Sequence, residues 1–406
     1  AVIADTLNDA LRASLQNSPE IAAARQGWIA ARENIEAKTS TSDFKATFSM
    51  TGNHTHTDAP TSNGFKQSQY SSGSITVAKN LYDGGQTLAN MKLAEIQLDQ
   101  VTADYLAIEQ NVILTCIEAY LNVLKSRRDV ALSDSNLKRL QAHVHAASIR
   151  VEAGAATPTR LAEAAARHAR AKSNALVAAT NLQNAEDDYK SLTGLQAGDL
   201  AFPATPENLP EQIGEAEKIS GSTHPNVRAA LAAERAADQA FNALKAGVKP
   251  TLSFSLSATS KDATGTSADS DVLAGSLVFS TPILSTNATR AKARNVAASH
   301  QQAKYARAEA VRVAEVRARA AFRTQEMAKI NLDAVQRELK AVKLVAAGIA
   351  SEAQFGQKTT LDLLDAEQDV NDAELRLVKA AHNLRLAAYR LQAAIGGLTA
   401  SSMGLG

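Results

Sequence analysis

The sequence predicts a mainly α protein with a smaller β portion, built as a duplicated unit of helix, strand, strand, long helix, turn and helix. An internal repeat runs at a constant offset of 206 residues, with Asn17 matching Thr223. No proline interrupts residues 86–152, which predicts one very long helix. Each half also contains segments in which apolar and polar residues alternate, as they do in β-strands.

The composition excludes several classes of chemistry. The chain has 406 residues with 43 basic and 42 acidic side chains, so no net field draws it towards nucleic acid. Aromatic residues are only 4% of the total and alanine is abundant, which favours closely packed helices over thick cores. Cys116 is the single cysteine, which excludes an intrachain disulfide and a thiolate cluster. No cofactor is expected.

The repeat sets the expected domain boundaries. Residues 1–193 form the first structural repeat, and residues 213–396 form the second. Between them, residues 194–212 contain three prolines, which predicts an irregular linker. Residues 397–406 are expected to form a C-terminal tail.

The helices of each half differ in length. Short helices are predicted near residues 6–38 and 213–246. The long helices are predicted at residues 86–152 and about 287–347. At about 1.5 Å per residue, the first of these is a rod of roughly 100 Å, which a compact domain cannot contain.

Glycine turns end the long helices. The first lies at Gly154, and the second is predicted near Gly348, with a further break at Gly356. Antiparallel return helices follow, at about residues 159–192 and 360–395. Each is close to half the length of the outgoing rod, so the short helices supply the missing length.

Four strands are predicted, at about residues 43–57 and 70–82 in the first half and 250–260 and 271–283 in the second. Polar residues rich in Gly, Ser, Thr and Asp separate the members of each pair, which predicts hairpin loops at 53–69 and 260–270. Period two puts the apolar side chains on one face. The opposite face carries Lys45, Thr47, Ser49, Ser253, Ser255 and Ser257.

No stretch of the sequence approaches the ~20 apolar residues of a membrane-spanning helix. The first residues lack the charged and apolar regions of a signal peptide, so an exported protein is expected here in its processed form.

Three motifs carry a family resemblance. They are Asn-Ser-Pro at residues 17–19, Leu-Tyr-Asp-Gly-Gly at 81–85, and Gly-Gln-Lys-Thr-Thr-Leu-Asp-Leu-Leu-Asp-Ala at 356–366. Their order within a two-fold repeat resembles the TolC-type outer-membrane efflux proteins along essentially the whole chain. The extra residues at 351–353 resemble those of alphaproteobacterial members.

The resemblance implies a homotrimer, in which a 12-stranded β-barrel in the outer membrane continues into a 12-helix α-barrel in the periplasm. Physical reasoning also requires association, because four strands cannot close a barrel and the smallest membrane barrels use about eight. The apolar strand faces would contact outer-membrane lipid, and the polar faces would line the lumen. Residues 194–212 would lie in the equatorial region.

The resemblance further implies the exit duct of a tripartite efflux or type I secretion system. Such a duct passively receives substrates from an inner-membrane transporter through a periplasmic adaptor protein. The alternative is a periplasmic coiled-coil adaptor or scaffold without a pore. No nucleic-acid partner is expected.

Two acids mark the expected periplasmic entrance. Asp362 and Asp365 lie three residues apart on one helical face, just after a turn. In a trimer they would form stacked rings of carboxylates that attract cations. The alternative is an ordinary first helical turn, where acids are favoured by the helix dipole.

The gate latch is expected near the same turn. Lys358 matches a basic position that helps to close the entrance in the family, but Thr159 and Arg160 stand where relatives have Thr-Asp. Lys358 and Arg160 would repel each other, so the latch is expected to run instead from Arg160 to an acid such as Asp362. Two solvated charges are the alternative, because exposed pairs contribute little.

The sequence offers little support for catalysis or a metal site. His54 and His56 share a strand face, but two ligands are too few for zinc. None of the common nucleophile, zinc-protease or nucleotide-binding motifs occurs, so no enzymatic activity is expected.

Overall fold

A computed structural model of the chain describes residues 3–4, 6–57, 66–206, 209–265, 268–284 and 286–405. Its helices are α1 (Leu7–Asn17), α2 (Pro19–Thr39), α3 (Gln86–Glu152), α4 (Pro158–Thr193), α5 (Ile213–Thr223), α6 (Pro225–Ala246), α7 (Asn287–Gln354) and α8 (Thr360–Ala394). Its strands are β1 (Ile3–Ala4), β2 (Lys45–Thr57), β3 (Lys66–Tyr82), β4 (Gln196–Ala197), β5 (Thr251–Gly265) and β6 (Ser270–Ser280). This order confirms the predicted mainly α fold with a duplicated plan.

The chain divides into two compact units, and each takes segments from both sequence repeats. The first unit comprises Ala1–Gln26, Ala103–Arg228 and Glu309–Gly406. The second comprises Gly27–Thr102 and Ala229–Ala308. The first is built from helices and the linker, and the second contains the four-stranded sheet.

Alanine sets the helix packing in the first unit. The buried residues of α4 recur at intervals of three, four or seven residues, and most of them are alanine, whose small side chain lets helices approach closely. They are Ala164, Ala171, Ala175, Ala178, Ala185, Tyr189 and Thr193.

The main core of the first unit lies where the linker crosses the helices. Tyr120 and Tyr189 are both fully buried, with their rings in an edge-on arrangement and 6.2 Å between centroids. The hydroxyl of Tyr120 donates to the Ala201 carbonyl at 2.6 Å, which ties the linker to α3. Leu398 is also fully buried here, so residues beyond α8 pack onto the core as well.

The linker contains one short strand, β4, that the sequence did not predict. Within the linker, β4 pairs in parallel with β1, and Arg127 donates to the carbonyls of Ala197 and Gly198. The segment is otherwise irregular where it is described, as its prolines predict.

The sequence predicts single short helices near residues 6–38 and 213–246, and this prediction was wrong. Each is broken into two helices, α1 and α2 in the first half and α5 and α6 in the second. The breaks lie at Ser18 and His224, and each of these residues precedes a proline. Proline disfavours the helical conformation in the residue before it and lacks a backbone donor, so α1 and α5 end there.

Both breaks contact the end of a return helix. Asn17 donates to the Thr193 carbonyl, and the Thr223 hydroxyl donates to the Ile395 carbonyl at 2.7 Å. The next residues, Gly194 and Gly396, have φ of +71° and +75°. A Cβ on Gly396 would lie 2.7 Å from the His224 Cα, so only glycine fits. Both halves of the duplication therefore share this contact between a helix break and the end of a return helix.

The second unit contains one antiparallel sheet in the order β2-β3-β5-β6. Phe48, Ile75, Ala258 and Leu273 are cross-strand neighbours on one face. Phe48, Ile75 and Leu273 are 70%, 54% and 75% exposed, so no apolar partner covers this face within the part of the chain that the structure describes. The predicted alternation of faces is confirmed.

One charged residue departs from that alternation. Lys79 lies in register with Phe254 on the apolar face. Its Nζ is 4.3 Å from the centre of the Phe44 ring, at the end of the apolar band. Long basic side chains are stable at such an edge because their apolar stems stay buried while the charge reaches water.

The hairpin loops are shorter than predicted. Strand β3 begins at Lys66 and β5 runs to Gly265, so polar residues assigned to loops at 53–69 and 260–270 are largely paired. These segments are rich in Ser and Thr, and threonine is favoured in strands. The strands therefore remain hydrogen-bonded to one another beyond the part of the sheet that carries the apolar side chains.

Glycine shapes the junction between β3 and α3. Gly84 has φ of +70°, and a Cβ there would lie 2.7 Å from the Lys249 Cβ. The Asp83 carboxylate accepts from the backbone N–H groups of Gly85 and Thr87, which caps the first turn of α3.

Helix α3 has the predicted bounds, but α7 runs to Gln354 and not to residue 347. Gly348 lies inside α7, because a single glycine costs a helix only about 1 kcal/mol. Gly356, with φ of +74°, makes the turn. None of the helices in the described ranges is long and apolar enough to cross a membrane.

We predict that Leu256→Arg and Ser257→Arg have opposite effects. Leu256 lies on the apolar face and Ser257 on the polar face of the same strand. If the apolar face contacts lipid, Leu256→Arg should destabilise the assembled protein by about 2–4 kcal/mol. Ser257→Arg should be tolerated and should lower conductance. Thermal dissociation in detergent and planar-bilayer recording measure the two effects; equal destabilisation by both variants would contradict this assignment of faces.

Candidate functional site

The turns at the ends of α3 and α7 enclose one cleft of about 890 Å³ within the first unit. Residues from both hairpins line it. They include His143, Arg150, Thr157, Thr159, Arg160, Glu163, Lys358, Thr359, Leu361 and Glu367. Thr159, Arg160 and Lys358, which the sequence marks as latch candidates, therefore lie around the same space.

The two turns have the same backbone design. Gly154 and Gly356 both have φ near +70°. After them, the Ala155 N–H donates to the Arg150 carbonyl, and the Gln357 N–H donates to the Glu352 carbonyl. These bonds satisfy carbonyls that the helix ends leave open and reverse the chain direction.

The helices that follow the turns are capped differently. At α8, the Thr359 hydroxyl accepts from the Asp362 N–H, and the Asp362 carboxylate accepts from the Thr359 N–H at 2.8 Å. This is a complete capping box. At α4, Thr157 makes no side-chain cap bond, and the position equivalent to Asp362 is Arg160. The α4 N-terminus thus has a cation where α8 has an acid.

The environment of Asp362 stabilises its charged form. Hydrogen bonds from the backbone and side chain of Thr359 lower the pKa of this carboxyl, and the nearby Lys358 ammonium lowers it further. Asp362 is therefore ionised at neutral pH and serves as part of the helix cap.

Asp365 has a partner that the sequence did not reveal. Its carboxylate accepts from Arg167 of α4 at 2.6 Å. The Asp365 side chain is 59% exposed, whereas that of Arg167 is 28% exposed. The pair joins the two hairpins and neutralises one of the two acids expected at the entrance.

The structure brings the latch candidates together without linking them. Arg160 and Lys358 are exposed, and neither forms an ion pair within the described part of the chain. The Asp362 carboxylate bonds to Thr359, so the hypothesised link between Arg160 and Asp362 is not made within one chain. Both cations are available to groups outside the chain.

A second inter-hairpin contact lies deeper in the cleft. His143 Nε2 is 2.9 Å from a Glu367 carboxylate oxygen, and both side chains are largely covered. The hydrogen bond to His143 lowers the pKa of Glu367, against the opposing effect of burial. No pattern in the sequence indicated this contact of His143.

Comparison with known proteins identifies the family. The family model for outer membrane efflux proteins matches residues 10–195 and 221–397. The chain belongs to this family. It is 28% identical to the outer membrane efflux protein BepC of Brucella suis biovar 1 over 413 aligned residues, which cover all of this chain and 88% of that protein. It is 25% identical to protein CyaE of Bordetella pertussis, over 81% of this chain and 71% of that one.

Solved structures share the fold of this efflux protein. The outer membrane channel CmeC of Campylobacter jejuni superposes with a TM-score of 0.83 at 15% identity, over 97% of this chain and 86% of that one. The open state of the outer membrane channel MtrE of Neisseria gonorrhoeae gives 0.78 at 20% identity, over 97% and 89%.

The family defines the function and its location. The protein is an efflux duct of the outer membrane, with its helical part in the periplasm. Family membership favours this function over the alternative of a periplasmic adaptor or scaffold without a pore.

The other candidate residues of the efflux protein lie in the second unit. Lys45, Thr47, Ser49, Ser253, Ser255 and Ser257 share the polar face of the sheet. The hydroxyls of Ser49 and Ser74 are 2.7 Å apart, and those of Ser255 and Ser276 are 2.8 Å apart. This face therefore presents cross-strand hydroxyl pairs. No group of three potential metal ligands occurs among the described residues, and the side chain of His56 lies outside them.

We predict that the caps of α8 and α4 respond differently to mutation. Thr359→Ala should destabilise the first turn of α8 by about 1 kcal/mol, because it removes a cap hydrogen bond. Thr157→Ala should have little effect, because Thr157 makes no such bond. Hydrogen exchange monitored by mass spectrometry reports both helix starts. Equal loss of protection at the two sites would show that the capping box has no special role.

The same cap should depend on pH. The folded pKa of Asp362 lies below its ordinary value, so its contribution is present above the unfolded pKa and is lost as pH falls through the folded pKa. Protection of the α8 start, corrected for intrinsic exchange rates, should decrease in that acidic range. It should not do so in Asp362→Asn, which has no carboxyl to titrate.

Proposed function

We propose that three copies of the chain form the duct, with one 12-stranded β-barrel and twelve helical columns. The support is the sheet itself. Among the described residues, its outer strands, β2 and β6, each have a neighbouring strand on one side only, and its apolar face is exposed. Unpaired backbone groups in lipid each cost several kcal/mol, so closure needs strands from other copies. Lys45, Thr47 and Ser49 would then line the lumen with the serines of β5.

The duct works with partners on its periplasmic side. It receives substrates from an inner-membrane transporter through a periplasmic adaptor, as part of a tripartite efflux or type I secretion system. Passage is passive and needs no catalysis by this chain. Energy comes from the transporter. The repeats at 1–193 and 213–396 supply the wall, and the linker at 194–212 lies at its equator.

The observation that supports a periplasmic entrance at this end is the cleft between the two hairpin turns, which Arg160 and Lys358 line and Asp362 and Asp365 do not. In a trimer, Asp362 and Asp365 of α8 would contribute six carboxylates near the tunnel end. Three of these, from Asp365, are paired with Arg167, and three, from Asp362, accept hydrogen bonds at a helix start. The rings therefore attract cations less strongly than six free carboxylates would.

The closed state is held differently from that of relatives with an acid at the Arg160 position. Arg160 and Lys358 are like charges that line one cleft, and neither forms an ion pair with an acid among the residues that the structure describes. Closing the entrance brings such cations closer to one another, which costs free energy in a narrow aqueous space. The entrance is accordingly biased towards opening unless a partner supplies an acid.

Fractionation and conductance test the proposed assembly. The purified protein should come from outer membranes as a heat-sensitive trimer, and it should form discrete channels in planar bilayers. A stable monomer that forms no channels would contradict the trimeric duct.

We predict that the charges at the entrance alter ion selectivity in opposite directions. Asp362→Asn with Asp365→Asn should reduce cation preference, because both carboxylates are removed. Arg167→Gln should increase it, because Asp365 loses its partner. Both effects should fade at ~1 M salt, where the screening length is about 3 Å. Reversal potentials in salt gradients measure selectivity. Unchanged values at low salt in both variants would place the entrance elsewhere.

We also predict that Arg160→Asp closes the duct. The new carboxylate replaces a repelling cation beside Lys358 and can form an ion pair with it. Single-channel conductance and open probability should fall, and Lys358→Gln in the same background should restore them. Arg337→Asp makes the same change of charge elsewhere and serves as the control, because Arg337 is 79% exposed and its ion pair among the described residues is with Asp333 of its own helix. No decrease in Arg160→Asp would show that these charges are simply solvated.

A further inference from the structure

A second cavity lies in the first unit, away from the hairpin turns. It has a volume of about 160 Å³ and is bounded by α3, α8 and the linker. Its apolar lining consists of Leu121, Leu124, Leu377, Val378, Ala381 and Phe202. We refer to it as the wall groove. Phe202 is 67% exposed, so an aromatic ring of the linker covers one side of the groove while still facing solvent.

The polar side chains of the wall groove are basic. Lys125, Arg128, His382 and Arg385 line it together with the apolar residues. Lys125 is paired with Asp129 at 2.6 Å, so its charge is neutralised. Arg128 and Arg385 form no ion pair within the described residues. The groove thus has two guanidinium groups without a carboxylate.

Arg385 is held at the groove by weak contacts only. Its guanidinium lies 5.3 Å from the centre of the Phe202 ring. Its Nη1 donates to the Ala381 carbonyl at a long 3.4 Å. Neither contact supplies the charge-assisted hydrogen bonds that a guanidinium forms with a carboxylate. Most of its donors are therefore open to a ligand.

His382 provides an independent indication of a ligand. Its Nδ1 is shielded from solvent and has no hydrogen-bond partner. A shielded polar atom without a partner is costly, and it invites a group that can bond to it. The atom belongs to a side chain that lines the groove.

We propose that the wall groove binds a small amphiphilic carboxylate. The apolar part of the ligand packs against Leu121, Leu124 and Leu377. Its carboxylate bonds to the guanidinium groups of Arg128 and Arg385. The charge of the ligand then meets two unpaired cations, and its body fills an apolar space, as in most small-molecule sites. This site is separate from the entrance and does not depend on the entrance mechanism.

Binding should be coupled to proton uptake. Burial lowers the pKa of His382, a bond to the Leu121 carbonyl opposes this, and Lys125 and Arg390 lower the pKa further. Asp129 acts in the opposite direction, and Arg390 is itself paired with Glu118. A bound carboxylate favours the imidazolium form, so it raises the pKa of His382. Affinity should therefore increase as pH falls from neutral into the mildly acidic range.

The test uses 4-(trifluoromethyl)benzoate as the probe and ¹⁹F NMR as the readout, with the full chain purified in its assembled form. We expect saturable line broadening by the benzoate and none by 4-(trifluoromethyl)benzyl alcohol, which lacks the charge. Binding should tighten as pH falls through and below the ordinary histidine pKa of about 6.5. No saturable binding at any pH, including the case in which a neighbouring copy covers the groove, would overturn the proposal.

Variants then assign the binding to the wall groove. Arg128→Gln with Arg385→Gln should weaken binding at least tenfold, and Ala381→Leu should abolish it by filling the space. Arg337→Gln with Arg312→Gln removes two positive charges from exposed positions elsewhere and should leave binding unchanged. Circular dichroism and trimer melting show that each variant is folded. Unchanged affinity in a folded Ala381→Leu protein, or in the double Gln variant, would exclude this groove as the site.

Discussion

The strict alternation of faces along the strands is the constraint on which the rest of the protein depends. Phe48 and Ser49 are adjacent in the chain, yet one belongs to an exposed apolar surface and the other to a row of paired hydroxyls. A shift of one residue in the pairing would exchange these surfaces. Because each half places its strands in the same register, the two hairpins join into one sheet with a single apolar face. In the proposed trimer, the apolar face of this sheet would contact lipid and its edge strands would pair with strands of other copies.

The duplication accounts for the helix breaks and hairpin turns that both halves share, and the differences between the halves indicate function. Both halves keep a helix break and a glycine at the end of the return helix that contacts it, because the backbone requires them. The breaks lie at Ser18 and His224, and the glycines are Gly194 and Gly396. The hairpin turns also agree in their backbone. They differ at the third helical position, where one half has Asp362 and the other has Arg160. The difference between Asp362 and Arg160 at an otherwise repeated turn is not needed for folding, so we attribute it to the entrance.

The sequence predicted features that depend on local rules. A proline-free segment set the bounds of α3, and period two set the sheet faces. The breaks before Pro19 and Pro225 also follow from a local rule, and the sequence prediction overlooked them. The extended polar ends of the strands were missed because only weaker local preferences decide there. The contacts between Arg167 and Asp365 and between His143 and Glu367 join residues 198 and 224 positions apart. Helical periodicity shows which residues share a face, but it does not show which face a distant helix presents, so one sequence could not reveal these pairs.

The position of α8 relates the two candidate sites. Its first turns carry Asp362 and Asp365, and its later turns carry Val378, His382 and Arg385 of the wall groove. At 1.5 Å per residue, Asp362 and Val378 are separated by roughly 25 Å along one continuous helix. A ligand in the groove would fix α8 against α3 and the linker at that point. If the proposed entrance opens by moving the start of α8 away from α4, the Arg167–Asp365 ion pair opposes that movement. A ligand in the groove would then hold α8 at a second point and would restrict the motion without entering the duct.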